Sequence, residues 1–387
     1  MKVLALTNPA FVGDNNQVLG ITAAMRARDA STSVINEADL NIDELSPDTL
    51  IVAAGDHGLR IIDAIKNKRP EILALWSGHQ FFDDFQSITH WPNTLALPKT
   101  AVSEEHKLFI AQHKTRLELT DGVAHNVHLG TIRDDMNRFK GTFPLTERYP
   151  VQIGIVLAGD APTASGEMRF FGPDDARKQA QFIAQHIKRQ NVWSEKTAIM
   201  ITNGPRTGKH NAETGEIYSP DPHRSGEVDA SSSAFIEALS HELQAKPEQI
   251  SFYDFQFANL PSAYKPLMFD IMINERSMWF VPCESTSMVS ESTWLVERCV
   301  DVVVYHPASE NDAHLRHAED YVGRGIVTDI NNPDAVHAKR DTRFVAAATQ
   351  IAASVLSPLV PLVPHCSFFA SSSSSQVPDT WTAPQPS

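Results

Sequence analysis

Cysteine is scarce in this chain. Of 387 residues only Cys283, Cys299 and Cys366 carry a thiol, and their spacing fits neither a disulfide framework nor a paired zinc site, so a reducing compartment is expected. Long apolar runs are missing too. No segment approaches the roughly 20 residues of a membrane-spanning helix, and the apolar run within Met1 to Pro9 is too short for a secretory signal, which points to a cytoplasmic protein. Excess positive charge is lacking: 33 Lys and Arg against 47 Asp and Glu leave a formal charge of −14, which argues against nucleic acid as a partner. The metalloprotease pattern HExxH is absent, and the pairs His125/His128 and His314/His317 lack a third ligand at a recognisable spacing, so no metal is expected.

What is present describes an ordinary globular protein, with 42% hydrophobic and 21% charged residues. Its length exceeds what one hydrophobic core usually supports, so two domains are expected. Short apolar runs recur at Val3 to Leu6, Ser33 to Ile35, Thr49 to Ala54, Glu71 to Trp76 and Thr94 to Leu97. Helical periodicity separates several of them, at Asn16 to Arg28 and Leu59 to Lys66. The pattern restarts at Val151 after linker punctuation by Gly141, Pro144 and Pro150. Strands then follow at Thr197 to Thr202, Ile250 to Phe255, Ser277 to Val281 and Asp301 to Tyr305. Helices are expected from Pro173 through Ile187, near Ser232 to Leu243, near Lys265 to Asn274, at Thr286 to Arg298 and at Ser309 to Tyr321. Ser309 and Asp312 read as a capping pair and Gly323 as a stop. The fold class is therefore α/β, with two Rossmann-like domains of parallel sheets facing a cleft, over residues 1–145 and 150–330. Residues 333–366 are expected to form a helical segment packing back on the interface, and the Ser/Pro-rich residues 367–387 a flexible tail.

In open parallel sheets the ligand lies beyond the C-terminal strand ends, so the loops after the strands carry the chemistry. The richest is Val281 to Ser292, where a hydrophobic strand runs into hydroxyls and carboxylates that open a helix. Unpaired N–H groups, the positive dipole end and Ser/Thr hydroxyls can face a phosphate there, while Glu291 can hold sugar hydroxyls. Ordinary N-capping explains the same residues without a ligand. After the strand ending at Thr202 comes Asn203-Gly204-Pro205-Arg206-Thr207-Gly208-Lys209, which could bring backbone amides and two cations to a diphosphate, although a solvated turn reads the same way. It is not a P-loop. Ser219 to Glu227 is either a lid or a plain surface loop. In the first half, Asp14 or Asn15 either caps the first helix or faces the cleft, and Gly55-Asp56-His57-Gly58 sets a carboxylate beside an imidazole. Asp14, Asp56 and His57 are the candidate bases, with His79 supplying a further imidazole. Asp160, ending the first strand of the second half, is either a cleft residue or a turn cap.

Three islands, Gly13-Asp14-Asn15-Asn16-Gln17-Val18-Leu19-Gly20, Thr202-Asn203-Gly204-Pro205-Arg206-Thr207 and Cys283-Glu284-Ser285-Thr286-Ser287-Met288-Val289-Ser290-Glu291, resemble the plant mitochondrial-fission family named for elongated mitochondria and its bacterial members, described as glycosyltransferases. Here Glu284 stands where the family has aspartate, and Ser292 where alanine is usual. The resemblance implies a GT-B-like architecture, a nucleotide-sugar donor held mainly by the second domain and an unidentified acceptor on the first, without a metal or other cofactor. Carried across, Ser287, Ser290 and Glu291 would bind the diphosphate and ribose and Arg206 would neutralise the leaving group. Asn203, Gly204, Thr207, Lys209, Glu284, Ser285 and Met288, from the same two loops, are the further candidates for the donor site. The leading expectation is glycosyl transfer. An epimerase or hydrolase on the same fold is the second reading. The third is a noncatalytic protein associated peripherally with a membrane surface, although no basic amphipathic helix supports it.

Overall fold

Apolar runs that are buried on both faces set the architecture, because a strand with no polar face must be covered by helices on either side. The computed structural model describes residues 2–81, 85, 87–163, 165–274, 276–332 and 346–356. The C-terminal helical segment expected at 333–366 is described only over 346–356, and the tail at 367–387 lies outside the described residues.

In the first sheet lie β1 (Lys2–Thr7), β2 (Ser31–Asn36), β3 (Thr49–Ala54), β4 (Leu73–Ser77), β5 (Thr94–Pro98) and β6 (Arg116–Thr120), all parallel, in the order β2-β1-β3-β4-β5-β6. Its helices are α1 (Val12–Arg26), α2 (Gly55–Lys68) and α3 (Glu104–Gln112); α4 (Leu129–Arg138) leads towards the second half. That half holds β7 (Val151–Val156), a short antiparallel pair β8 (Ala161–Pro162) and β9 (Met168–Arg169), then β10 (Thr197–Thr202), β11 (Ile250–Tyr253), β12 (Met278–Pro282), β13 (Asp301–Tyr305) and β14 (Thr328–Asp329). The second sheet is also parallel, ordered β11-β10-β7-β12-β13-β14, which is the Rossmann strand order. Around it lie α5 (Pro173–Arg189), α6 (Pro222–Ser225), α7 (Ala230–Leu243), α8 (Tyr264–Met272), α9 (Thr286–Val296) and α10 (Asp312–Gly323). No helix among the described residues is long and apolar enough to cross a membrane.

Both sheets are buried on two faces. Every residue of β3 and β10 is buried, and Trp279 and Phe280 of β12 serve cores on opposite faces of the second sheet. Residues α11 (Ala347–Leu356) return to the first half, where Ala347, Ile351 and Ala352 join Val18, Ile21 and Met25 of α1 in one core. Helix α4 instead contributes Ile132 to the core of the second half, beside Leu267 and Ile271 of α8.

Several sequence expectations need correction. Helix α1 begins at Val12, so Asp14 sits in its first turn rather than capping it, and Asn15 exchanges hydrogen bonds with the Asn8 backbone. Gly55-Asp56-His57 is the first turn of α2, not a free loop. Helix α10 is capped by Asn311, with His314 completing a reciprocal box, while Ser309 lies before the helix and Gly323 is its last residue. Strand β6 and helices α3 and α4 had no assignment from the sequence. In Arg116–Thr120 only Thr120 is buried, so an edge strand carries little of the apolar signal. The stretch Ser219 to Glu227 holds α6, and its buried His223 hydrogen-bonds the carbonyls of Thr207 and Phe255.

The two halves are fastened side by side. Within the first half, Gly20 of α1 packs so closely on the segment after β6 that a Cβ there would lie 2.1 Å from the His125 carbonyl oxygen. The Val123 N–H donates to Ser290 Oγ at 3.0 Å, Thr100 Oγ1 lies 3.2 Å from His317 Nδ1, and Arg324 reaches Asp121 at 3.2 Å.

Candidate functional site

A reversal of strand order opens a crevice at the C-terminal strand ends. In the first sheet the reversal lies between β1 and β3, and in the second between β7 and β12. The loops that leave these strands meet across a cavity of about 440 Å³ lined from both halves. Asp14, Asn16, Gln17 and His79 come from one side, and Gly204, Arg206, Lys265, Glu284 and Ser285 to Met288 from the other.

The opening of α9 forms one wall. Ser285 leaves β12 in an extended conformation and its Oγ accepts from the Met288 N–H at 3.3 Å, which satisfies one orphan donor of the first turn. The Thr286 and Ser287 N–H groups have no acceptor within the helix, and both residues line the cavity. Ser287 and Glu291 stand one turn apart, so the face that carries them points the same way. Glu284, immediately before the cap, is fixed by the Gly159 N–H at 2.6 Å and faces Arg206 Nη2 at 3.7 Å, while its buried Oε2 has no hydrogen-bond partner. Burial pushes the Glu284 carboxyl up to about 7 against the pull of Arg206. Gly159 must be glycine for this contact, since a Cβ would fall 2.7 Å from that of Arg206.

Asp14 stands on the opposite wall. Burial, with the neighbouring Asp56 and Glu37 carboxylates, raises it to about 6. Asp56 and His57 line a smaller adjoining recess that Asp14 and His79 share with them, and His57 Nε2 is paired with Glu37 at 2.6 Å. Around the cavity burial keeps two imidazoles neutral: His79 is lowered to about 4 and His314 to about 3, with Arg206 adding to both shifts. His314 Nδ1 accepts the Asn311 N–H, so neutral His314 carries its proton on Nε2.

Of the expected donor residues, Asn203, Gly204, Arg206, Glu284, Ser285, Ser287, Met288 and Glu291 line the cavity. Thr207, Lys209 and Ser290 stand outside its wall. Thr207 Oγ1 accepts from the Gly204 N–H and holds the turn closed. At Gly208 the chain turns with φ +59°, carrying Lys209 away. The Ser290 hydroxyl donates to the Thr286 carbonyl and takes the Val123 N–H, so it belongs to the domain interface. Asn203, though on the wall, spends its amide on Asp229, Ser232 and Asp254. Asp160 is a loop anchor, accepting from the Phe171 N–H and the His210 backbone. Lys265 and His314 are among the cavity residues that the sequence did not single out for this site. Lys265 opens α8, whose cationic side chain at a helix start runs against the macrodipole; that mismatch is the signal it offered.

Glu291 is buried beneath the cavity, where Asn16 Nδ2 reaches its Oε1 from the other half at 3.4 Å. Burial raises its carboxyl to about 7, against the opposing charge of Lys265. A folded pKa above the unfolded value means that the native state binds the extra proton. Its stabilising contribution is complete below about pH 4.5 and is lost as pH rises through about 7. Glu291→Gln is therefore expected to gain on wild type by about 1–3 kcal/mol at pH 8 and to match it near pH 4.5. Chemical denaturation of both proteins at the two pH values checks this; a constant difference would contradict it.

No family model matches the chain, and no curated protein does. Solved structures similar to it include an E. coli trehalose-6-phosphate protein bound with UDP-2-fluoro glucose, at 10% identity and TM-score 0.47, covering 93% of this chain and 95% of the other. An α,α-trehalose 6-phosphate synthase from Burkholderia multivorans aligns at 11% identity and TM-score 0.43 over 82% and 71% of the two chains. S. aureus MnaA in complex with UDP aligns at 9% identity and TM-score 0.43 over 92% and 96%. The strand orders and the shared crevice make this an α/β protein of two Rossmann-like domains facing a cleft, in a GT-B-like arrangement.

Proposed function

We propose that the protein is a glycosyltransferase that takes a sugar from a nucleoside-diphosphate sugar in the second domain and passes it to an acceptor on the first, and that it is a relative of the elongated-mitochondria family and its bacterial members. The observation that carries this reading is the pairing across one cavity of an anion-seeking wall, the α9 start with Arg206, and a carboxylate wall at Asp14. The Thr286 and Ser287 N–H groups and the α9 dipole favour a diphosphate, and Arg206 adds a full positive charge. As the bond from the anomeric carbon to the diphosphate oxygen breaks, the departing oxygen gains negative charge, which these fixed donors stabilise more than the ground state. Asp14, poised at about 6, takes the proton of the acceptor hydroxyl as its oxygen bonds to the anomeric carbon. Glu291 and the unpartnered Glu284 Oε2 serve as acceptors for sugar or ribose hydroxyls.

Calorimetric titration of the folded protein with a panel of nucleoside diphosphates and nucleotide-sugars tests the donor site. Binding in the micromolar range is expected, and silence at millimolar ligand would sink the proposal. A second reading, acceptor-independent epimerisation or hydrolysis, is favoured by the raised pKa of buried Glu291, which suits proton transfer to or from the sugar itself. Product analysis without added acceptor separates the two.

A further inference from the structure

Beside the cavity, three groups of unlike chemistry converge at the ends of neighbouring strands. Cys283 follows β12, His306 follows β13, and Glu310 lies in the loop before α10. Cys283 Sγ lies 3.5 Å from His306 Nδ1 and 2.5 Å from Glu310 Oε2, and His306 Nδ1 lies 2.9 Å from the same carboxylate oxygen. One ligand atom from each residue falls within 4.8 Å of the other two. We propose that Cys283, His306 and Glu310 form a binding site for a zinc-class divalent cation, with Asp329 orienting the imidazole.

Tetrahedral zinc holds S at about 2.3 Å and N or O at about 2.0–2.1 Å, which separates ligand atoms by roughly 3.3–3.7 Å. The Sγ–Nδ1 pair already has that spacing, and Glu310, only partly buried, needs to withdraw by about 1 Å to match it. The other ring nitrogen of His306, Nε2, meets Asp329 Oδ1 at 3.1 Å, the carboxylate–imidazole arrangement that leaves the opposite nitrogen's lone pair for a metal. A thiol, an imidazole and a carboxylate together suit zinc and its neighbours, whereas magnesium and calcium prefer oxygen alone.

The loop carrying two of the ligands is held from outside. The His306 carbonyl accepts from Gln179 Nε2 at 2.8 Å, the Ala308 N–H donates to Asp175 at 2.7 Å, and the Glu310 carbonyl accepts from Arg169 at 2.5 Å. A site supported in this way loses little entropy on binding. Three protein ligands leave a fourth position for water. The rival account is a plain cluster in which His306 pairs with Glu310 and Asp329 beside a neutral thiol; it requires no affinity for a cation. Because Cys283 precedes Glu284 in the chain, a bound ion would also fix the approach to α9.

The test uses the full, untagged chain, stripped with chelator and titrated with Co²⁺. One equivalent is expected to bind with thiolate-to-cobalt charge-transfer absorption, which Zn²⁺ then displaces. Cys283→Ser should abolish that absorption, and Asp329→Asn should weaken binding by about 10- to 100-fold. Circular dichroism establishes that each variant folds, and Glu310→Gln, at a partly exposed position, supplies the same comparison should Cys283→Ser misfold. Absence of the absorption in folded wild type overturns the site. So does its persistence in folded Cys283→Ser, or an unchanged cobalt affinity in folded Glu310→Gln. None of these outcomes depends on sugar-nucleotide binding.

Discussion

Arg206→Ala is expected to lower sugar-nucleotide turnover by about 10²- to 10³-fold, the loss that follows removal of one fixed charge-stabilising donor. The melting temperature should stay within a few degrees of wild type. The Arg206 side chain is 42% exposed and its ion-pair partner Glu284 keeps the Gly159 N–H at 2.6 Å when the guanidinium is gone. Burial already drives the Glu284 carboxyl towards its neutral form, so losing Arg206 shifts a protonation equilibrium rather than stranding a charge. Arg206→Lys should recover part of the rate, because it restores the charge without the two-pronged geometry that matches a phosphate. Nucleoside diphosphate release measured beside a thermal melt separates the two effects. Unchanged turnover in Arg206→Ala would remove the leaving-group role assigned to this side chain.

The same loop illustrates what a sequence reveals and what it conceals. Strands β3, β10 and β13 match their apolar runs to the residue, since an uninterrupted run bounded by turn residues leaves no freedom in where a doubly buried strand begins or ends. The start of α9 was equally legible, because Ser285 caps it and hydroxyls crowd its first turn. What the sequence hides is the direction in which a polar side chain spends its hydrogen bonds. Ser287 and Ser290 are one helical turn apart and chemically identical, yet one lines the cavity and the other ties the halves together through Val123. Lys265 and His314 reach the cavity from α8 and α10, outside the loops with obvious chemistry, and only the packing of those helices brings them there. Cys283, His306 and Glu310 likewise have no recognisable ligand spacing; adjacency of β12 and β13 creates it.

Asn203→Ala, three residues from Arg206, is expected to do the reverse: cost about 3 kcal/mol of stability while its effect on donor affinity follows only from that loss. Its Nδ2 lies 2.8 Å from Asp254 Oδ1, 3.1 Å from Ser232 Oγ and 3.2 Å from Asp229 Oδ2, and its Oδ1 accepts the Phe255 N–H at 2.6 Å. Alanine removes all of these and strands a buried N–H together with two acidic side chains that no longer share a donor. Burial already raises the Asp254 pKa, and the bonds from Asn203 and Gln256 hold it down; without Asn203 it rises further. A raised folded pKa places the stabilising contribution at low pH and removes it as pH climbs through that value, starting from the ordinary 3.8. The deficit of Asn203→Ala relative to wild type should therefore be larger at pH 7 than at pH 4. Urea denaturation at the two pH values measures it. A variant that melted like wild type but lost nucleotide binding would reverse the assignment, making Asn203 a ligand contact and its buried network incidental.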